Sequence, residues 1–179
     1  MLGVGATPAE VARPLPGDDV VPEADVVMDR GFTLDATPDE AWPWLVQLGK
    51  QRAGWYLPAP VERLVPAERR ASRALLPEHA SLEVGDVVPD YGGPHETFEV
   101  VSVDPPRSLV YRSQRGRGGR VAVSWAIVLA PYGERTRVQL RLRLGGLRRP
   151  WLAASLGEAF DLLTIAGMAA GLRERLREG

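Results

Sequence analysis

The segment PDYGGPHETF, Pro89 to Phe98, gathers the polar groups best suited to proton transfer. Within it Asp90, Tyr91, His95 and Glu96 share a loop rich in glycine and proline. An imidazole beside a carboxylate can serve as a general base near neutral pH, and that chemistry suits enolisation, dehydration or aldol ring closure. His95, Asp90 and Tyr91 are therefore the candidate catalytic residues. A solvated loop histidine is the plainer reading of the same residues, since neighbours in sequence need not face one another. His79, the other histidine, stands beside Glu78 and makes a weaker case.

A second group of residues suits binding rather than reaction. Trp44, Trp55, Tyr56, Tyr91, Tyr111, Trp125 and Phe160 could wall a cavity for a flat or greasy molecule, with Met168 as an adaptable filler. Ordinary core packing is the alternative for each of them. Other chemistries find little support. The chain has no cysteine, which removes disulfides, thiolate metal sites and a cysteine nucleophile. Two histidines without ligand spacing make no metal site. Ser124 lacks the glycine-flanked elbow of a serine hydrolase, and the glycine clusters lack the context of a phosphate cradle. No cofactor is expected.

The elements that must position these residues follow from pattern. Residues 1–23 are rich in proline, glycine and acids and read as an extended or poorly ordered arm; residues 24–179 read as a single domain. Val26 to Leu34 fits a first strand. Thr37, Pro38 and Glu40 form a capping box with proline at the first helical position. Ala41, Trp44, Leu45 and Leu48 then share one apolar face, with Trp44 directed to the core. Pro43 is expected to kink or shorten this helix, which ends near Gly49. Pro58–Leu64 and Ala67–Leu76 read as short helical pieces. Leu82–Val88, Thr97–Val103, Ser108–Ser113, Val121–Ala130 and Thr136–Leu144 read as strands. Pro150–Arg175 predicts one final helix, about 39 Å long if unbroken. Its run from Leu162 to Leu172 carries no charge and is apolar on more than one face, as suits a central helix or one whose second face meets a cavity or a partner. A membrane span is not expected, because Glu158 and Asp161 precede a short uncharged run. With no basic, apolar leader at the N-terminus, the expected location is cytoplasmic.

Charge is nearly balanced but uneven. Lys50 is the one lysine, and Arg107 to Arg149 holds eleven arginines against a single acid, Glu134. In the last strand Arg137, Arg141 and Arg143 alternate with Val138, Leu140, Leu142 and Leu144, so one sheet face should be buried and the other wet. Arg112, Arg115, Arg117 and Arg120 extend the basic cluster. A solvated outer face is the plain reading; an acidic carrier protein or an anionic surface are the functional ones, and nucleic acid ranks last. A homodimer is a further option.

The stretch ATPDEAWPWLVQLGKQRAGWY, Ala36 to Tyr56, followed by LEVGDVVP, SWAIVLAP and TRVQLRLR, resembles the START-like superfamily, also called SRPBCC. The resemblance implies an α+β helix-grip fold: an antiparallel sheet wrapped around a long C-terminal helix, with two or three short helices after the first strand and an internal cavity for an apolar molecule. It implies no single chemistry. The leading expectation is a cofactor-independent cyclase or dehydratase of the polyketide kind, a bacterial enzyme of natural-product biosynthesis. A non-catalytic carrier or sensor of lipids or metabolites is the alternative. In either case Trp44, Trp55, Tyr56, Tyr111, Trp125, Phe160 and Met168 are the expected ligand-binding residues.

Overall fold

The computed structural model describes residues 3–116 and 118–178. Arg117, counted above with the basic cluster, lies outside the described residues. The chain begins with a short helix, α1 (Pro8–Ala12), and enters the sheet as β1 (Val26–Leu34). Helix α2 (Pro38–Val46) opens with the expected box: Thr37 N donates to the Glu40 carboxylate at 2.7 Å, and Glu40 N donates to Thr37 Oγ1 at 3.4 Å. Pro43 does not break it. Only the bond to the Asp39 carbonyl is lost, and Trp44, Leu45 and Val46 are buried directly after it, so packing outweighs the missing bond. A connection with α3 (Ala59–Glu62) and two single 3₁₀ turns leads to β2 (Val87–Pro89), β3 (Thr97–Asp104), β4 (Ser108–Arg115), β5 (Val121–Tyr132) and β6 (Arg135–Gly145).

All six strands pair antiparallel in the order β1-β6-β5-β4-β3-β2. The chain ends in a helical rod made of α4 (Pro150–Leu152), a π segment Ala153–Gly157, and α5 (Glu158–Glu178). This is the helix-grip α+β architecture.

Because side chains alternate across a strand, each cross-strand rung assigns residues to the inner or outer face. The inner rungs Phe32–Val138–Leu129 and Leu140–Ile127–Leu109 meet Leu45, Ile165, Met168 and Leu172 and form the core. The close approach of the chain after RAGWY to α5 depends on glycine: a Cβ on Gly171 would stand 2.6 Å from Leu57 backbone atoms.

The outer face differs from expectation. The arm predicted as extended or poorly ordered contains α1 and lies over the outer face of β1 and β6, where the sequence placed a wet arginine stripe. Arg137 pairs with Glu10 at 2.7 Å; Arg141 reaches Asp18 and Asp29, each at 2.9 Å; Arg143 donates to the carbonyls of Val21 and Pro22. Val4, Leu15 and Val21 of the arm are buried. Glu10, Asp18 and Asp29 are thus the acidic partners of this stripe, which removes these three arginines as a docking surface.

The terminal rod also departs from a uniform central helix. Its C-terminal half is core, but Trp151, Leu156, Phe160 and Leu163 in the first half are exposed. By length and composition it could cross a membrane; in this fold Ile165, Met168, Ala169 and Leu172 are instead enclosed by the sheet and α2.

Candidate functional site

A cavity of about 580 Å³ lies between the first half of α5 and the inner face of the sheet. Its floor is two rungs. Tyr111, Trp125, Leu142 and Met28 are successive cross-strand partners, and Val123 with Leu144 forms the next. The space exists because of what α5 offers above these rungs. Where the filled core has Ile165, Met168 and Leu172, the cavity meets Gly157, Asp161 and Thr164, and Phe160 turns outward, 71% exposed, at the mouth. Of the helix, Ile165 closes the inner end of this space.

Aromatic rings make the wall. Trp125 stacks on Tyr111 with centroids 5.7 Å apart and on Trp55 at 6.1 Å, while Phe98 leans on both Tyr111 and Trp125. Trp55 arrives from the RAGWY loop. Gly54 holds a positive φ of 86° with a Cβ position only 2.9 Å from Ala71 Cα, so a larger residue would lift the loop off its support. Directly after this turn the chain alternates: Trp55 faces the cavity and donates from Nε1 to the Thr164 carbonyl at 3.3 Å, and Tyr56 faces the core.

Polar groups are few and mostly cluster at one end. Arg115 pairs with Asp90 at 2.7 Å and lies over the Phe98 ring at 4.7 Å. Lys50 Nζ donates to the Asp90 carbonyl at 3.0 Å and approaches that of Gly93 at 3.5 Å. Near the helix, Asp161 Oδ2 sits 2.8 Å from Arg30 Nε without hydrogen-bond alignment. Burial raises the Asp161 carboxyl above the ordinary aspartate range, and the Arg30 charge offsets only part of this. Burial likewise raises the Tyr111 hydroxyl, and burial with the Asp90 charge raises that of Tyr91.

This geometry agrees with sequence comparison. A family model described as polyketide cyclase / dehydrase and lipid transport matches residues 25–178. The chain belongs to that family. Among solved structures, a Nitrosomonas europaea protein is 16% identical, with 93% of this chain and 99% of that chain covered and a TM-score of 0.56. A Mesorhizobium loti protein is 14% identical over 86% of this chain and 98% of that one, with a TM-score of 0.53. DynU16, a protein of the dynemicin biosynthetic locus, is 18% identical over 84% of this chain with a TM-score of 0.52, and the match spans 47% of its own length. At such identities the likeness establishes the START-like fold. None of the curated proteins matches the chain significantly.

Within this polyketide cyclase-like fold the predicted residues separate into three groups. Trp55, Tyr111, Trp125 and Phe160 line the cavity, as do Asp90 and Tyr91. Trp44, Tyr56 and Met168, expected to touch ligand, are core residues instead. Trp44 and Tyr56 pack edge to face at 6.0 Å, and the Tyr56 hydroxyl donates to the Trp44 carbonyl and accepts from Gln47 Nε2; Met168 belongs to the filled half of α5. His95 is exposed and outside the cavity wall, and the Asp90 carboxylate is committed to Arg115 and to the Tyr91 amide. The anticipated His95–Asp90 couple is therefore not assembled at the cavity. Sequence reasoning missed Lys50, Arg115 and Asp161 as cavity residues. Lys50 carried one usable signal, as the chain's one lysine beside the RAGWY block.

Proposed function

We propose that the protein binds a ring-containing apolar small molecule in this cavity and acts on it as a cofactor-independent cyclase or dehydratase of the polyketide kind. The observation that carries this reading is a hollow of about 580 Å³ whose wall is the stacked set Trp55, Trp125 and Tyr111. An intramolecular aldol closure with loss of water consumes no co-reactant. A base takes a proton from the carbon next to one carbonyl, that carbon attacks a second carbonyl, and the oxygen of the second is protonated to a hydroxyl. Loss of the second proton from the attacking carbon, with a proton delivered to the hydroxyl, then expels it as water and leaves a carbon-carbon double bond. Folding a flexible chain against flat aromatic walls supplies orientation worth about 7 to 11 kcal/mol at best.

The proton-handling groups of the cavity are Asp161 and the Tyr91 hydroxyl. Asp161 suits the role because its carboxyl is raised toward neutrality by burial. With an identified substrate, Asp161→Asn is expected to lower kcat by about 10²-fold or more, and His95→Ala to change it by less than about twofold. Full turnover in Asp161→Asn removes Asp161 from the mechanism.

A carrier or sensor is the second reading, favoured by the commitment of Asp90 to Arg115 and the exposure of His95. Native mass spectrometry of the purified protein separates the two. An apolar ligand that co-purifies and is released chemically unchanged supports carriage, whereas conversion supports catalysis.

A further inference from the structure

Lys50 stands out among the charged groups of the cavity. Arg115 is balanced by Asp90, and Arg30 is shared between Asp161 and Glu158. Lys50 lines the same cavity with its ammonium on two backbone carbonyls and has no ion-pair partner among the described residues. The Lys50 end, counting Arg115 and Asp90, therefore carries one uncompensated positive charge beside an apolar chamber. Resting a half-buried ammonium on carbonyl dipoles satisfies its donors but does not neutralise it. Arg115 is held in place by Asp90, by the Ser113 hydroxyl and by the Phe98 ring. It stands close to the same end as a fixed second cation.

We propose that the cavity selects molecules bearing one anionic oxygen group, a carboxylate, a sulfonate or an enolate-like oxyanion, at the end of an apolar ring system. The rings lie against Trp55, Trp125 and Tyr111, and the anion meets Lys50 with Arg115 beside it. The inference rests on the cavity being the binding site and adds the class of ligand. The charge pairing sets orientation, so the apolar end points toward Met28, Leu142 and α5.

Two dyes with one ring skeleton test it: anilinonaphthalene sulfonate, which is anionic, and phenylnaphthylamine, its uncharged parent. Titration by fluorescence, with each dye displacing the other to establish a shared site, should give tighter binding of the sulfonate to the native protein. That preference should shrink as ionic strength rises. Lys50→Met should weaken the sulfonate about tenfold or more while leaving the parent dye within about twofold, and Lys50→Arg should restore most of the loss. The wild-type preference and its salt dependence need no variant, so the test survives a misfolded Lys50→Met. Equal binding of both dyes to the native protein, or equal weakening of both by Lys50→Met, overturns the anion proposal and leaves the cavity reading intact. Binding of neither dye overturns both.

Discussion

Arg175 is wholly buried, and every polar atom of its guanidinium is used. It donates to the carbonyls of Ser72, Leu57, Gly171 and Ala71 and pairs with Glu62, and its plane lies 4.5 Å over Tyr56. This residue ties α5 to α3 and to the loop that presents Trp55, so it fixes the back of the cavity without touching it. Arg175→Met would leave Glu62 buried with Arg73 as its remaining ion-pair partner and four carbonyls without their donor. A loss of about 3 kcal/mol is expected from urea denaturation, because removing one partner of a buried pair costs more than the pair contributes. The residue scale also explains why Trp55 and Tyr56, adjacent in sequence, serve different ends. One extended step after Gly54 sends the first ring to the cavity and the second to the core, where burial raises the Tyr56 hydroxyl well above its usual range.

At the scale of elements, the N-terminal arm and strand β6 form a charge-paired layer. Glu10 is pulled from its ordinary value of 4.5 down to about 2, chiefly by its hydrogen bond to Arg137 and also by the Thr7 amide. A carboxyl depressed by folding stabilises the fold above its ordinary value, and the contribution disappears as pH falls through the depressed one. The arm should therefore be held firmly at neutral pH and loosen between about pH 4.5 and about pH 2. Glu10→Gln is expected to lower the urea midpoint near neutral pH, with the gap to wild type closing as the pH approaches that lower limit. A gap of constant size across the range would mean that the Glu10–Arg137 pair does not hold the arm. The helix α2 shows the same interplay between local rule and packing. Its capping box was legible from Thr37 and Glu40, whereas the tolerance of Pro43 was not, because it depends on Trp44, Leu45 and Val46 being buried by other elements.

For the whole molecule, the decisive feature is that one half of the sheet's inner face is filled and the other is not. Val123 lies on the floor of the unfilled half. Val123→Phe should therefore leave stability within about 1 kcal/mol of wild type, because the ring enters existing space rather than displacing packed atoms. The same change should weaken phenylnaphthylamine binding by about tenfold or more, since it occupies volume the dye needs. Thermal unfolding and fluorescence titration on one sample check both halves of the expectation. A loss of about 1 to 3 kcal/mol, as in an overpacked core, would mean the hollow is not free to be filled.

By itself the sequence determined the succession of strands, the capped helix and the long closing helix, because each rests on local periodicity or turn chemistry, while the helix-grip assembly was implied by the resemblance to the START-like superfamily. It also placed Trp55, Tyr111 and Trp125 among the ring-bearing candidates. Only tertiary structure decided which rings enclose space and which fill it, since Trp44, Tyr56 and Met168 have the same residue types but face the other way or another depth of the sheet. Tertiary structure also turned the arginine stripe into a partner for acids more than a hundred residues earlier. It brought Lys50, Arg115 and Asp161 to one chamber while leaving His95 outside. The physical reason is common to all of these: a side chain's charge and size are written in the chain, but its partners and its depth are set by which distant element packs over it.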